Sequence, residues 1–487
     1  MTGAPATGVA RGLALLVAGT FFMEILDATV IAPAAPHIAA DLGVPPVAVN
    51  VAITAYVLTL AVLIPISGWL ADRYGARRVF MTAVVVFTCA SAGCAAAQDL
   101  PMLVATRVLQ GAGGAMMVPV GRLVVLRTTA KTDLVRAIAY LTWPALAAPL
   151  VAPALGGLLS TYASWRWIFL VNLPLGLAGL VLAARLVPDV RAENAGRLDW
   201  RGFLLAAGGI AALVAGLEAV AADRPAPGFS APSGGPGAGS STVPHLPLAL
   251  GLLGLAAVAL AAAVRYLLRA RRPLVDLRIL TVPTYRVTAS GGSVFRAVIT
   301  AIPFLLPLFF QLGFGWTAAQ AGLVVIALFA GNIAIKPATT PLMRRFGIRA
   351  VMLGAVAASA ACLVAMALLQ PGTPLLALLA VLAASGVVRS IGFTAYNTVA
   401  FADVPAGRMT GANTLMSALQ ELGGGLGVAA GALLVRLGDP LGDAWGCGGE
   451  AGMPYRIAFV ALAVLLIVPA IEAVTLPRSA GNVVAGR

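Results

Sequence analysis

Hydrophobic residues fill this chain in long unbroken blocks, not in the alternating or three-to-four-residue stripes of a water-soluble fold. A helix needs about 20 apolar residues to cross a hydrocarbon core roughly 30 Å thick. Blocks of that kind recur at 12–34, 47–71, 79–97, 101–126, 135–159, 165–186, 202–220, 246–268, 287–310, 318–336, 351–369, 374–396, 410–434 and 457–476. The pattern predicts an all-α membrane protein of fourteen spanning helices. Most polar breaks are short. The exceptions include a Pro/Gly/Ser-rich stretch at 222–243 and a Gly-rich one at 439–453, and neither has the composition of a folded domain. The first block carries Glu24 and Asp27 and lacks a small-residue cleavage site, so it reads as a retained span and not as a leader.

Composition supports the bilayer. Charged residues make up 10% of the chain and hydrophobic ones 60%, whereas soluble domains run near 25% charged. The formal net charge of +14 would suit nucleic acid if the basic residues clustered on one soluble face. Here they punctuate apolar blocks, so nucleic acid is excluded as a partner and lipid takes its place. Of the 32 Lys and Arg, 25 fall on one side of the alternation. Only Arg166, Arg224, Arg436 and Arg456 fall on the other, and Arg107, Arg296 and Arg389 lie inside spans. Basic residues mark the cytoplasmic side, which predicts both termini in the cytoplasm. The Arg-over-Lys, Ala/Gly-rich composition points to a bacterial inner membrane. Cys89, Cys94, Cys362 and Cys447 have no metal-ligand spacing. His37 and His245 sit at outer ends of predicted spans, away from any Ser or Asp that would make a triad. No enzyme, metal or cofactor is expected.

The break after the second span reads Gly68-Trp-Leu-Ala-Asp72-Arg73-Tyr-Gly75-Ala-Arg77-Arg78, and 272 positions later the break after the tenth repeats Arg73, Gly75 and Arg77 as Arg345, Gly347 and Arg349. Repeats of this kind are typical of secondary transporters, whose substrate site lies between the repeated units. The repeat divides the chain into a first six-helix half at 12–186, an insert of linkers and two helices at 187–286, and a second six-helix half at 287–476.

The stretch from Gly68 to Arg78 fits G-x-x-x-D-R-x-G-x-R-R completely and resembles the signature loop of the major facilitator superfamily. Physically, Gly68 permits close helix contact, Gly75 a tight turn, and Asp72 with the arginines a charge-assisted latch at a helix end. The resemblance implies a cytoplasmic gate built from Gly68, Asp72, Arg73, Gly75, Arg77 and Arg78. In the fifth span, Ala139, Ala148, Ala152-Pro153 and Gly156-Gly157 are similar to the antiporter motif of the same superfamily, with alanine at three positions where that motif has glycine. Leu26-Asp27-Ala-Thr-Val-Ile, Trp165-Arg-Trp-Ile-Phe-Leu-Val-Asn172-Leu-Pro174 and Phe304-Leu-Leu-Pro307-Leu-Phe-Phe-Gln311 resemble its fourteen-helix drug:proton antiporter branch. The resemblance implies multidrug efflux by alternating access, driven by protons.

Ionisable groups within spans cost about 2.5–3.5 kcal/mol each and mark function by default. Glu24 and Asp27 share a face of the first span, and two carboxyls close together in low dielectric are costly to ionise together. They are the candidate proton carriers. Arg107, at a depth similar to Asp27, is its expected partner, with a static buried ion pair as the alternative. Arg296 and Glu421 stand at matching mid-depth in the second half and are expected to pair likewise, with two unrelated cavity residues as the alternative. Arg389 also lies within a span and has no evident partner. Tyr56, Tyr140, Trp143, Gln311 and Asn332 are candidate cavity residues, suited to amphipathic or cationic compounds through stacking and cation–π contact. The expected function is export of small molecules against protons by a monomer. A proton-coupled importer and a non-transporting membrane sensor or scaffold are the competing readings.

Overall fold

The computed structural model describes residues 7–44, 46–130, 133–188, 198–222, 245–270, 273–444 and 452–477. Of the two predicted Pro/Gly-rich breaks, residues 223–243 and 445–451 lie outside these. Among the described residues, fourteen helical rods coincide with the fourteen predicted spans: α1 (Thr7–Leu42), α2 (Asn50–Tyr74), α3 (Ala76–Ala95), α4 (Leu100–Thr128), α5 (Leu134–Tyr162), α6 (Trp167–Leu186), α7 (Trp200–Ala222), α8 (His245–Arg269), α9 (Pro283–Gly313), α10 (Ala318–Ala334 continued by Lys336–Phe346), α11 (Ile348–Ala367), α12 (Leu375–Ala400), α13 (Met409–Ala444) and α14 (Met453–Thr475). Eleven of these rods are long and apolar enough to cross a membrane, and α10, bent by 50° at its joint, makes a twelfth. With α5 and α7 they account for the count read from the sequence.

The helices owe their boundaries to local chemistry. Asp99 caps α4 by accepting the Met102 amide at 2.7 Å, and Thr317 with Gln320 forms a reciprocal capping box at the start of α10. Gly75 and Gly347 take φ of 93° and 83° between α2 and α3 and between α10 and α11, a conformation only glycine adopts without strain. α9 departs from regular helix. Pro303 and Pro307 lack the amides that would continue the ladder, and π-helical turns occupy Thr288–Gly292 and Phe309–Gly313. Glu472 of α14 accepts the Gly291 amide at 2.5 Å and the Ser290 hydroxyl at 2.7 Å, tying α14 to the first π turn.

Helix packing repeats itself with a shift of eight helices. α1 packs on α5, α3 on α4, α2 on α4 and α3 on α6. Correspondingly α9 packs on α13, α11 on α12, α10 on α12 and α11 on α14. The hairpin of α7 and α8 stands outside these pairings, with α7 lying against both α2 and α13. Asp199, just before α7, ties this hairpin to its flanking segments, accepting from the Tyr266 hydroxyl (2.9 Å) and the Gly202 (2.9 Å) and Leu274 (3.2 Å) amides. Two residues counted with the basic loops belong inside the bundle. Arg122 lies within α4, and Lys336 is buried at the joint of α10.

Small residues set the tightest approaches. Ala148 and Ala152 of α5 are fully buried, and a Cβ at Gly156 would collide with the Val30 carbonyl of α1. Alanine at the motif positions therefore does not hold α5 away from α1. The side chains of Trp143, Pro153 and Gly157 lie outside the described residues.

Candidate functional site

The first centre is an ion pair sealed among α1, α2, α3, α4 and α6. Arg107 of α4 donates from Nη1 to Asp27 of α1, and both side chains are fully buried. Asp27 also accepts from Gln110 Nε2 at 2.9 Å and from Asn172 Nδ2 at 2.9 Å. Ser91 of α3 accepts from both of these amides (3.1 and 2.9 Å) and donates to the Phe169 carbonyl at 3.0 Å. Arg107 is held in turn by the Gln110 carbonyl oxygen at 2.8 Å and lies over the Tyr56 ring, 4.1 Å from its centre. A charge pair in low dielectric offsets its desolvation only when its remaining hydrogen-bonding groups find partners. Here the carboxylate accepts from three side chains, and Arg107 Nη2 and Asn172 Oδ1 are left without partners.

Glu24 is three residues earlier on α1 but turns elsewhere. It is buried, its Oε2 has no hydrogen-bond partner, and it lies beside the Cα of Gly114 and the Tyr56 hydroxyl. The charges acting on it come from Glu421 and Arg122 as well as Asp27. The two carboxyls of α1 are thus a paired one and an unpaired one, not the joint site their spacing suggests. Arg296 and Glu421 act on each other electrostatically but form no ion pair. Arg296 instead donates to the Gln420 carbonyl at 2.7 Å and stacks over Phe393 at 5.2 Å. A crevice between the first six and last six helices, lined by Arg122, adjoins another within the last six, lined by Arg296, and the two share Phe393, Asn397 and Gln420.

The second centre is a clamp at the end of the bundle where α1 begins and α14 stops. Asp72 accepts from Arg127 Nη2 of α4 at 2.8 Å and from the Thr410 hydroxyl of α13 at 3.2 Å, and Arg127 also donates to Thr410. Asp72 therefore finds its arginine on α4 and not in its own loop, where Arg73 and Arg78 are exposed. A Cβ at Gly68 would strike Thr410 and Thr414 of α13, so glycine is what lets α2 and α13 close. Arg122 extends the clamp inward, donating to Asn413 Oδ1 (2.8 Å), Ser417 Oγ (2.6 Å) and Gln420 Oε1 (2.7 Å), three acceptors on one face of α13. Arg77 serves a different end, donating to the Ala184 carbonyl at the close of α6. Its repeat partner Arg349 does the same for Val474 at the close of α14.

Of the other sequence candidates, Tyr56 supports Arg107, and Tyr140 is half-buried against the core. Gln311 turns back on its own helix to the Pro307 carbonyl at 3.1 Å. Asn332 is fully buried, with both side-chain polar atoms lacking partners. Sequence reasoning missed Ser91, Gln110, Arg122 and Arg127. Gln110 carried a signal, since it stands three residues from an intramembrane arginine on the same helix face. Arg122 and Arg127 were masked by the topological count, which assigned them to a loop.

A many-helix bundle with repeated packing, buried ion pairs and a polar clamp joining its first and last six helices at one end has the architecture of a membrane transporter. The chain belongs to the Major Facilitator Superfamily, whose sequence profile matches residues 17–428 and again 288–482. It is 36% identical over 475 residues to the "Putative multidrug resistance protein MdtD" of Cronobacter sakazakii, covering 95% of this chain and 94% of that one. It is 38% identical over 444 residues to the protein of the same description in Klebsiella pneumoniae, with 90% and 88% covered. Among solved structures it resembles the human organic anion transporter MFSD10 (TM-score 0.60, 16% identity, 95% of this chain and 99% of that one). It also resembles the proton:xylose symporter XylE (TM-score 0.61, 14% identity, 98% and 97%). It is a multi-pass membrane protein of the multidrug efflux branch, a secondary transporter and not an enzyme.

Proposed function

We propose that this protein exports small amphipathic compounds, cations among them, in exchange for protons. The observation that carries the reading is the contrast on α1, where Asp27 is locked to Arg107 while Glu24, one turn away, is buried without a partner for Oε2. Glu24 can take up a proton without giving up a salt bridge, and Asp27 can do so only by releasing Arg107. A change at either site alters how α1 and α4 are held, which is what coupling of protonation to conformation requires. One proton moved through 100 mV gives about 2.3 kcal/mol, and one pH unit adds about 1.4 kcal/mol. Together these sustain a substrate gradient of roughly several hundredfold.

In this reading the chain comprises two rocking halves, 12–186 and 287–476, with α7 and α8 inserted between them, and it works as a monomer. Both termini are cytoplasmic in a bacterial inner membrane, as the distribution of arginine implies. The clamp of Asp72, Arg127, Thr410 and Arg122 then closes the cytoplasmic side, so the conformation faces outward. The Ala148–Gly157 segment keeps α5 close against α1 as the two move.

The test is purified protein in liposomes with a pH gradient and a lumenal pH dye. Substrate added to the wild type discharges the gradient, whereas Asp27→Asn and Glu24→Gln bind substrate but leave the gradient standing. Normal substrate-linked proton movement in both variants overturns the coupling role, and accumulation in the opposite direction replaces export by import.

A further inference from the structure

Hydrogen-bonding groups left without partners concentrate where α10 meets α12. Arg389 has Nε and Nη1 buried and unpartnered, Asn332 has both Nδ2 and Oδ1 in that condition, and so does Ser390 Oγ. Packing places them together. A Cβ at Gly386 would run into the Leu328 carbonyl and the Asn332 amide, so α10 and α12 touch backbone to backbone here. One turn to either side, the Arg389 guanidinium lies 6.0 Å from the Phe329 ring and Lys336 Nζ donates to Thr394 Oγ1 at 2.8 Å. Phe329, Asn332 and Lys336 share one face of α10, which brackets Asn332 between the levels of Arg389 and Thr394.

The charge around this cluster has one sign. The charged group that acts on Arg389 is Arg296, another cation. Arg389, Phe393 and Asn397 follow one another at four-residue intervals on α12, and the latter two line the crevice beside Arg122 and Arg296. The charged side chains that line the crevices are both arginines, Arg122 and Arg296, and Arg389 lies one helical turn from Phe393, which lines them too. A buried guanidinium with free donors and no counter-charge is unfavourable until an anion reaches it.

We propose that Arg389, with Asn332 and Ser390, is a recognition subsite for an acidic group on the transported compound, so that the substrates include amphipathic aromatic acids and zwitterions. Arg389 supplies the charge, Asn332 a neutral donor beside it, and Phe329 and Phe393 the apolar walls for an aromatic body. The proposal rests on the export reading only in calling the occupant a substrate. Binding is measured without a proton gradient, so the two fail separately.

The experiment uses the full-length protein in detergent and compares 1-pyrenebutyrate with its methyl ester by fluorescence titration. The wild type should prefer the acid at least tenfold. Arg389→Gln should abolish that preference with ester affinity unchanged, Arg389→Lys should keep part of it, and Asn332→Ala should reduce it about fivefold. A wild type that binds acid and ester equally overturns the subsite, and so does an Arg389→Gln protein that keeps the preference. If Arg389→Gln does not fold, Asn332→Ala decides alone, and an unaltered preference there overturns the proposal.

Discussion

Two arginines lie inside the bundle on corresponding helices, Arg107 on α4 and Arg389 on α12. Arg107 is enclosed by an acid, an amide and an aromatic ring. Arg389 has two buried nitrogens with nothing to donate to. The packing of α2 on α4 recurs as α10 on α12, so one scaffold offers the same kind of position to two different uses. In the first six helices the cation is consumed in holding a carboxylate, and in the last six it is left available. A buried charge is therefore informative only together with its partners.

The largest expected effect breaks the comparison at its paired end. Arg107→Leu leaves Asp27 buried and uncompensated, which should cost about 3–5 kcal/mol of stability. The double variant Asp27→Leu/Arg107→Leu should recover most of that loss in detergent thermal melts while remaining inactive. Arg389→Leu removes a charge with no partner and should melt within a few degrees of the wild type. A melt as low as that of Arg107→Leu would show that Arg389 is paired after all and would end the contrast.

The clamp sharpens the comparison next. Arg127→Ala removes a charge-assisted bond to Asp72 whose two side chains are only 18% and 21% exposed. Such bonds contribute about 1.5–3 kcal/mol, so opening at the end where α1 begins should rise roughly tenfold to a hundredfold. Arg349→Ala, which frees a helix end and joins nothing across the bundle, should leave opening unchanged. Spin-label distances between α2 and α13 distinguish the two. A smaller shift in the same direction is expected for Gly68→Ala, because its new methyl would meet Thr410 and Thr414.

Legibility in the sequence followed the strength of the physical constraint. A bilayer core punishes every exposed backbone amide, so the spans were readable from hydropathy alone, though α1 and α13 each run to 36 residues and exceed what crossing needs. Depth counting placed Asp27 and Arg107 at one level because a rod converts residue number to height. It could not give azimuth, which is why Glu24 and Asp27 read as a joint site and Arg296 and Glu421 as a pair. The partner of Asp72 was hidden for a related reason. Arg127 is 55 residues away in sequence and reaches it only through the packing of α4 on α2.

The smallest effect belongs to the opposite end of the bundle, where an exposed pair offers a control for the buried one. Arg166 donates to Asp41 at 2.6 Å, joined by Trp165 Nε1 at 3.1 Å, and the two charged side chains are 35% and 44% exposed. The hydrogen bond from Arg166 holds the Asp41 carboxyl below its ordinary range. A carboxyl whose pKa is lowered on folding adds stability above its unfolded pKa and gives it up as the pH falls through the folded value. That contribution is therefore present at pH 7 and lost on acidification below about pH 4. Solvent and salt screen an exposed pair, which limits it to less than about 1 kcal/mol. Asp41→Asn should lower the melting temperature slightly at pH 7 in low salt, progressively less as the pH falls below about 4 or in 1 M salt, and should transport like the wild type. If instead it melts as far below the wild type as Arg107→Leu does, burial is not what separates the two pairs.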